Sequence, residues 1–209
     1  MTIKKAVYLT IKRLFDIICA LIGILFLIPI TIGVKIAYML TGDFKPIFYT
    51  HNRIGKNGKE FKLYKFRSMV WDADKIFEEM MKDKEFAKKY KKKMKIDNDP
   101  RITKVGKFIR KLSIDEMPQF VNVLLGDMHM IGNRPYLPRE KADMGEYYDE
   151  IVTSKPGITG YWQTAGRNDV DFANRLELES DYSKNMCLAM DIKIFFKTFS
   201  VVLCGRGAK

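Results

Sequence analysis

The 209-residue chain is long enough for one domain with an appendage, and its 47% hydrophobic and 30% charged residues describe a globular protein, not a disordered one. An excess of 37 Lys and Arg over 25 Asp and Glu gives a net charge of +12, which points to an anionic partner such as a nucleotide, nucleic acid or anionic lipid. With only His51 and His129, a His-rich metal centre is excluded and a Ser-His or Cys-His arrangement is disfavoured. Cys19, Cys187 and Cys204 lack metal-site spacing and read as reduced thiols, so any metal must be a hard, oxygen-liganded one such as Mg²⁺.

Residues 17–34 (IICALIGILFLIPITIGV) carry no charge and are bracketed by Asp16 and Lys35. As a helix they measure about 27 Å, near the thickness of a bilayer's hydrocarbon core. A secretory signal would need a small-residue cleavage site, and residues 35–39 make a poor one. Basic residues flank the run on both sides: Lys4, Lys5, Lys12 and Arg13 before it, Lys35, Lys45, Arg53 and Lys56 after it. Basic flanks prefer the cytoplasm. Pro29 can kink the helix, and a kinked helix entering and leaving one leaflet keeps both flanks on one side. Spanning and re-entrant placements both remain open on these residues. The expected division is a membrane-inserted helix with its flanks over residues 1–45 and a catalytic domain over 46–209.

Residues 47–50 and 61–66 read as two strands joined through Asn57-Gly58, a hairpin signal. Residues 71–95 read as one helix ending in a lysine cluster, either a solvated face or a contact for anionic lipid. Residues 102–111 show helical spacing of Val105, Phe108, Ile109 and Leu112; a second helix over 120–125 is ended by Gly126. Residues 155–157 and 166–168 read as loops and 175–182 as helix. The last helix, 190–203, sets Lys193, Lys197 and Ser200 against a broad apolar face. That face suits either an interfacial helix or the protein's own core. The fold class is therefore α+β, mostly helical, with a membrane helix, amphipathic interfacial helices and a small β-hairpin.

Asp115 and Glu116 are the residues best suited to chemistry. Ser113 with Glu116 fits a capping box, but Pro118 lies too deep in such a helix and points to a later start. Two adjacent carboxylates in a basic protein can serve as an attacking carboxylate and as candidate ligands for Mg²⁺. Lys65 and Arg67, at the end of the second strand, can clamp phosphates; alternating exposed charges on an edge strand are the more ordinary explanation. The Arg134-Pro135 and Arg167-Asn168 loops are similar candidates. Residues 155–160 are not a Walker loop, because no Gly-Lys-Ser/Thr follows. Tyr161 and Trp162 suit either stacking on a base or the core.

Residues 12–16 (KRLFD), 64–69 (YKFRSM), 99–106 (DPRITKVG), 113–119 (SIDEMPQ), 126–128 (GDM), 156–160 (PGITG) and 166–168 (GRN) follow one another in a set order. In that order, from about residue 9 to the C-terminus, the chain resembles the bacterial sugar transferase family, the monotopic phosphoglycosyl transferases. The resemblance implies a re-entrant helix broken at Pro29 and a site at the cytoplasmic face of the bacterial inner membrane. It implies transfer of a sugar-1-phosphate from a UDP-sugar to polyprenyl (undecaprenyl) phosphate, with release of UMP. Asp115 would attack phosphorus, Glu116 would help hold Mg²⁺ or assist Asp115, and Lys65 would lie near the site. Arg67, Arg134, Pro135, Gln163, Arg167 and Asn168 would bind substrate, and downstream glycosyltransferases would take the product. The segment around Gln163 resembles members that transfer galactose or glucose phosphate. Asn133 stands where the family usually has Pro, Ile28 where it has Ser before Pro29, and Glu179 where Asp is common. The chain looks like a minimal catalytic form, without the multi-spanning N-terminal half of larger members.

Two other readings compete. A non-enzymatic basic membrane adaptor would use Asp115 and Glu116 only as caps. A membrane-tethered phosphohydrolase would pass the intermediate to water. No nucleic acid is expected, because the basic cluster lacks interleaved aromatics.

Overall fold

The computed structural model describes residues 3–93, 96, 98–165 and 170–203. The fold is α+β and mostly helical, with two small two-stranded sheets. Helix α1 (Ile3–Leu40) has 38 residues, so it is about 57 Å long. It is long and apolar enough to cross a membrane, and its most apolar 18 residues are only 17% buried. That exposure sets it apart from the core helix of a soluble domain.

One stripe of α1 docks on the rest of the protein along its whole length. Near its start, Lys12 pairs with Asp191 and donates to the Tyr182 hydroxyl at 3.0 Å. Asp16 accepts from the Met130 amide at 2.8 Å and meets His129 Nδ1 at 2.6 Å. Arg13 donates to the carbonyls of Val123 and Leu124, at 2.6 and 2.8 Å. Midway, the Phe120 ring lies against Gly23, where any added Cβ would stand 2.5 Å from ring carbons. Near its end, Val34 and Tyr38 join Ile47, Phe66 and Ile109 in one apolar cluster, and the Tyr38 hydroxyl donates to the Arg67 carbonyl. Both ends of α1 thus rest on the same body. The opposite stripe, including Leu14, Ile18, Leu25, Phe26 and Ile32, is exposed.

Helix α1 is assigned as one helix with Pro29 inside it. Proline removes one backbone hydrogen bond, and here Leu27, Ile30 and Val34 pack on the same cluster on either side of it. That docking holds the helix together.

Strands β1 (Phe48–Ile54) and β2 (Glu60–Phe66) form the expected antiparallel hairpin, with Phe48 opposite Phe66 and Ile54 opposite Glu60. Asn57 (φ 57°) and Gly58 (φ 75°) supply the left-handed turn. The single helix expected over 71–95 is two, α2 (Ala73–Met81) and α3 (Lys84–Lys93). Asp83 Oδ1 accepts from the amides of Glu85 and Phe86 and so starts a second helix. Exposed pairs Lys75–Asp72, Lys82–Glu79 and Lys89–Glu85 give this hairpin the character of a solvated face.

Helix α4 (Lys104–Lys111) is capped by Thr103, which accepts from the Gly106 amide at 2.8 Å. Asp99 holds Arg101 in a two-pronged pair at 2.9 and 2.7 Å. The backbone around it bonds to the end of β2: Val70 N to Arg101 O, and Thr103 N to Ser68 O. Helix α5 (Gln119–Leu125) ends at Gly126 with φ 91°. Strand β3 (His129–Ile131) pairs in parallel with β4 (Gly157–Thr159), whose first residue, Gly157, was expected in a loop. A 3-10 stretch over Pro138–Tyr147 leads into α6 (Tyr148–Ile151), and α7 (Tyr161–Ala165), α8 (Phe172–Asn185) and α9 (Leu188–Leu203) follow β4. Helix α9 satisfies both of its expected readings. Ile194 is buried with Ile131 and Tyr182, while Leu188, Ile192 and Phe196 are exposed beside Lys193 and Lys197.

Candidate active site

Asp115 and Glu116 sit on a single 3-10 turn, Ile114–Glu116. The expected capping box is not formed. Ser113 adopts a left-handed conformation (φ 56°) and its side chain caps nothing, while α5 starts after Pro118. Proline fits there because the first helical turn needs no amide from it. The dyad therefore stands on a tight turn between α4 and α5, and not inside a helix.

Two stitches hold that turn against β2. The Asn122 side chain accepts from the Tyr64 amide at 3.0 Å and donates to the Lys62 carbonyl at 2.7 Å. Lys65, one residue past Tyr64, then reaches Glu116 Oε1 at 2.8 Å. Asp115 is 8% exposed. Burial pushes its carboxyl up to about 6, against the pull of Lys65 and with the help of Glu116. Arg110 also bears on it and is itself fixed by donating to Ser68 Oγ at 2.8 Å.

A second group of charges lies farther along the same face of the hairpin. Arg53 donates through Nη1 to the Pro135 carbonyl at 2.8 Å and lies 4.0 Å from Glu140. Arg134 lies 3.9 Å from the same Glu140, and its amide donates to Glu179 Oε1 at 2.8 Å. Glu116 acts electrostatically on both arginines. Burial raises Glu179 to about 7, opposed by its hydrogen bond from Arg134. The Tyr136 hydroxyl and Glu179 Oε2 interact electrostatically without a well-formed hydrogen bond, and Arg134 Nε and Arg175 Nε are buried without a partner among the described residues.

Lys65, Arg134 and Pro135 thus gather around the dyad as candidates. Arg67 does not. Its guanidinium is buried, held at 2.9 and 3.0 Å by Asp43, bonded to the Pro46 carbonyl at 2.8 Å and stacked 4.4 Å over Tyr38. A cation matched on every side below the surface is in no position to clamp a phosphate. The Gln163 amide donates to the Ile158 carbonyl at 3.2 Å. Buried Trp162 packs under Arg175, whose guanidinium stands 4.3 Å over its ring. Arg167 and Asn168 lie outside the described residues. Sequence reasoning missed His51, Arg53, Arg110, Glu140 and Arg175 as neighbours of the site. The alternation of His51 and Arg53 on one hairpin face was the available signal for two of them.

Two adjacent carboxylates are too few to enclose a cation, and among the described residues no group of three potential metal ligands is found. They do suit Mg²⁺, which takes one or two carboxylates and completes its shell with water and substrate phosphates.

A buried acidic dyad thus stands among cations in a protein that carries a long apolar helix. The bacterial sugar transferase family matches residues 7–205, and the chain belongs to that family. It is 44% identical over 199 residues to the undecaprenyl-phosphate galactose phosphotransferase of Salmonella typhimurium, covering 95% of this chain and 41% of that protein. It is 38% identical to the exopolysaccharide production protein ExoY of Sinorhizobium fredii, covering 94% of this chain and 87% of that one. A UDP-N-acetylgalactosamine-undecaprenyl-phosphate N-acetylgalactosaminephosphotransferase of Aeromonas hydrophila is 37% identical, with 99% and 47% covered. The chain spans less than half the length of the first and third of these relatives.

Proposed function

We propose that the protein transfers a sugar-1-phosphate from a UDP-sugar to a polyprenyl phosphate, releasing UMP, by a ping-pong route through Asp115. The observation that carries this reading is Asp115 itself: a buried carboxylate beside Glu116, facing the Lys65 ammonium. A carboxylate shifted to about 6 is largely ionised at neutral pH yet weakly hydrated, which suits a nucleophile. In the first step an Asp115 oxygen bonds to the β-phosphorus and the bond to the UMP oxygen breaks. Lys65 offsets the charge on the departing phosphate, while Arg134 holds the donor's diphosphate equally before and during the step. In the second step a phosphate oxygen of the polyprenyl acceptor attacks the same phosphorus and the Asp115 carboxylate leaves. Mg²⁺, held by oxygens of Asp115 and Glu116, would neutralise charge on the diphosphate when bound.

The acceptor is a lipid, and the reading puts the protein on the cytoplasmic face of the bacterial inner membrane. Residues 1–45 would serve as its membrane part and 46–209 as its catalytic part. Support comes from α1, which docks at both ends on one body while its other stripe stays apolar and exposed. A helix held this way lies along one leaflet with both basic flanks on the same side. The product would be the first lipid-linked sugar of a surface glycan, extended by downstream glycosyltransferases. The names of two relatives, for galactose and N-acetylgalactosamine phosphate transfer, make those sugars the first to try.

Membrane-reconstituted protein should release UMP from one of a panel of UDP-sugars only with Mg²⁺, and form polyprenyl-diphosphate sugar only with polyprenyl phosphate. Free sugar phosphate with no need of lipid would mark a phosphohydrolase. No UMP from any donor would leave the adaptor reading.

A further inference from the structure

One face of the hairpin carries Tyr49, His51 and Arg53 in alternation, and Lys65 lies directly across the ladder from Tyr49. The His51 ring meets Tyr49 edge-on at 5.2 Å. Its Nε2 accepts a hydrogen bond from Arg53 Nε at 3.1 Å. Arg53 in turn holds the Pro135 carbonyl at 2.8 Å and faces Glu140, which also faces Arg134. His51 thus stands between Lys65, tied to the dyad through Glu116, and the Arg134-Pro135 loop.

Lys65, Arg53, Arg134 and Arg139 all bear on this imidazole. Burial first, and then these cations, push its pKa down to about 2, so the ring is neutral. A neutral ring whose Nε2 accepts carries its proton on Nδ1. It supplies a lone pair among like charges where a further cation would be repelled.

We propose that His51 is a positioning residue: its Nε2 fixes the Arg53 guanidinium, which through the Pro135 carbonyl sets Arg134 against the diphosphate of the donor. This rests on the reading of the site as a UDP-sugar site. A residue acting this way tightens the donor's diphosphate without touching the bond that breaks. Its loss falls on the KM for donor and spares kcat.

The test is steady-state UMP release with Mg²⁺ and polyprenyl phosphate. The donor is whichever of UDP-galactose, UDP-glucose and the UDP-N-acetyl sugars the wild type uses fastest. His51→Leu removes the acceptor at similar bulk and should raise donor KM about tenfold, the scale of one hydrogen bond to a charged group, with kcat within about twofold. His51→Gln, whose Oε1 can accept from Arg53, should recover most of that loss. Arg53→Lys keeps the charge, loses the Nε donor and should show the same KM rise. Combining it with His51→Leu should add little. Should His51→Leu fail to fold by thermal melting, Arg53→Lys decides, and an unchanged KM there overturns the proposal. A loss confined to kcat, or a Gln variant no better than Leu, also overturns it. Variants with unaltered KM beside an active wild type defeat the proposal alone. A wild type that releases no UMP defeats the donor reading and the proposal with it.

Discussion

Buried charge is arranged in two opposite ways in this protein. Where α1 meets β3, α8 and α9, its buried charges are answered: Lys12 by Asp191 and Tyr182, Asp16 by His129 and the Met130 amide. Around the dyad, matching is incomplete. Asp115 and Glu179 are raised to about 6 and about 7, and Arg134 Nε and Arg175 Nε lack partners among the described residues. A network closed on itself fixes geometry. One left open at several polar atoms has capacity for a charged ligand. The first cluster accordingly reads as the clamp on the membrane helix and the second as the place of chemistry.

The sharpest way to break that contrast is Asp115→Asn. On our reading it abolishes UMP release, by on the order of a thousandfold or more, and leaves the fold intact. It should be no less stable than wild type at pH 8, because it removes a buried carboxylate whose ionisation is disfavoured. An asparagine variant that unfolds yet retains activity would reverse the roles given to the two clusters.

Lys12→Met makes the opposite cut. It strands Asp191 below the surface and should cost about 3–5 kcal/mol in denaturant unfolding, the usual penalty for half a buried pair. Turnover per folded molecule should be little changed. A large loss of turnover with unchanged stability would mean that the clamp belongs to the site.

Acid should act on the dyad. With Asp115 at about 6, the donor half-reaction should fall roughly tenfold per pH unit below that value. The raised pKa also means that the folded state keeps a proton the unfolded state has lost. Stability contributed by this group is therefore present at low pH and lost as pH climbs from the usual carboxylate range through 6. A flat rate profile down to pH 5 would exclude Asp115 as the group that must ionise.

Glu179→Gln should have the smallest effect. Its raised pKa has the same sign, so the variant should gain on wild type as pH rises from the usual carboxylate range through 7, by at most about 3 kcal/mol. A thermal-melt series across pH 5 to 8 would show it.

Much of the local structure was legible. Asn57-Gly58 announced the hairpin, Gly126 ended α5, and Pro118 correctly argued that the helix begins after the dyad. The failures share one cause, because partners distant in sequence decide them. Ser113 looked like a cap until the turn was pinned to β2 through Asn122. Strands β3 and β4 are three residues each and pair across a long connection, too short for any period to show. Asp115 and Glu116 stood out because adjacent acids are conspicuous in a basic protein, whereas only the family resemblance placed Lys65 beside them. Arg53 and Glu140 were not, since only the fold brings the hairpin beside the loop after β3. Arg67 misled for the converse reason, a basic side chain at a strand end whose partner Asp43 lies in the turn after α1.

The account stands or falls on a bond between an Asp115 oxygen and phosphorus. Intact-mass measurement of the protein mixed with Mg²⁺ and its UDP-sugar, with no polyprenyl phosphate present, should show a gain of one sugar phosphate. Peptide mapping should locate that gain on Asp115, and added polyprenyl phosphate should discharge it. An unmodified mass under conditions where UMP is released, or an adduct on any other residue, would contradict the account.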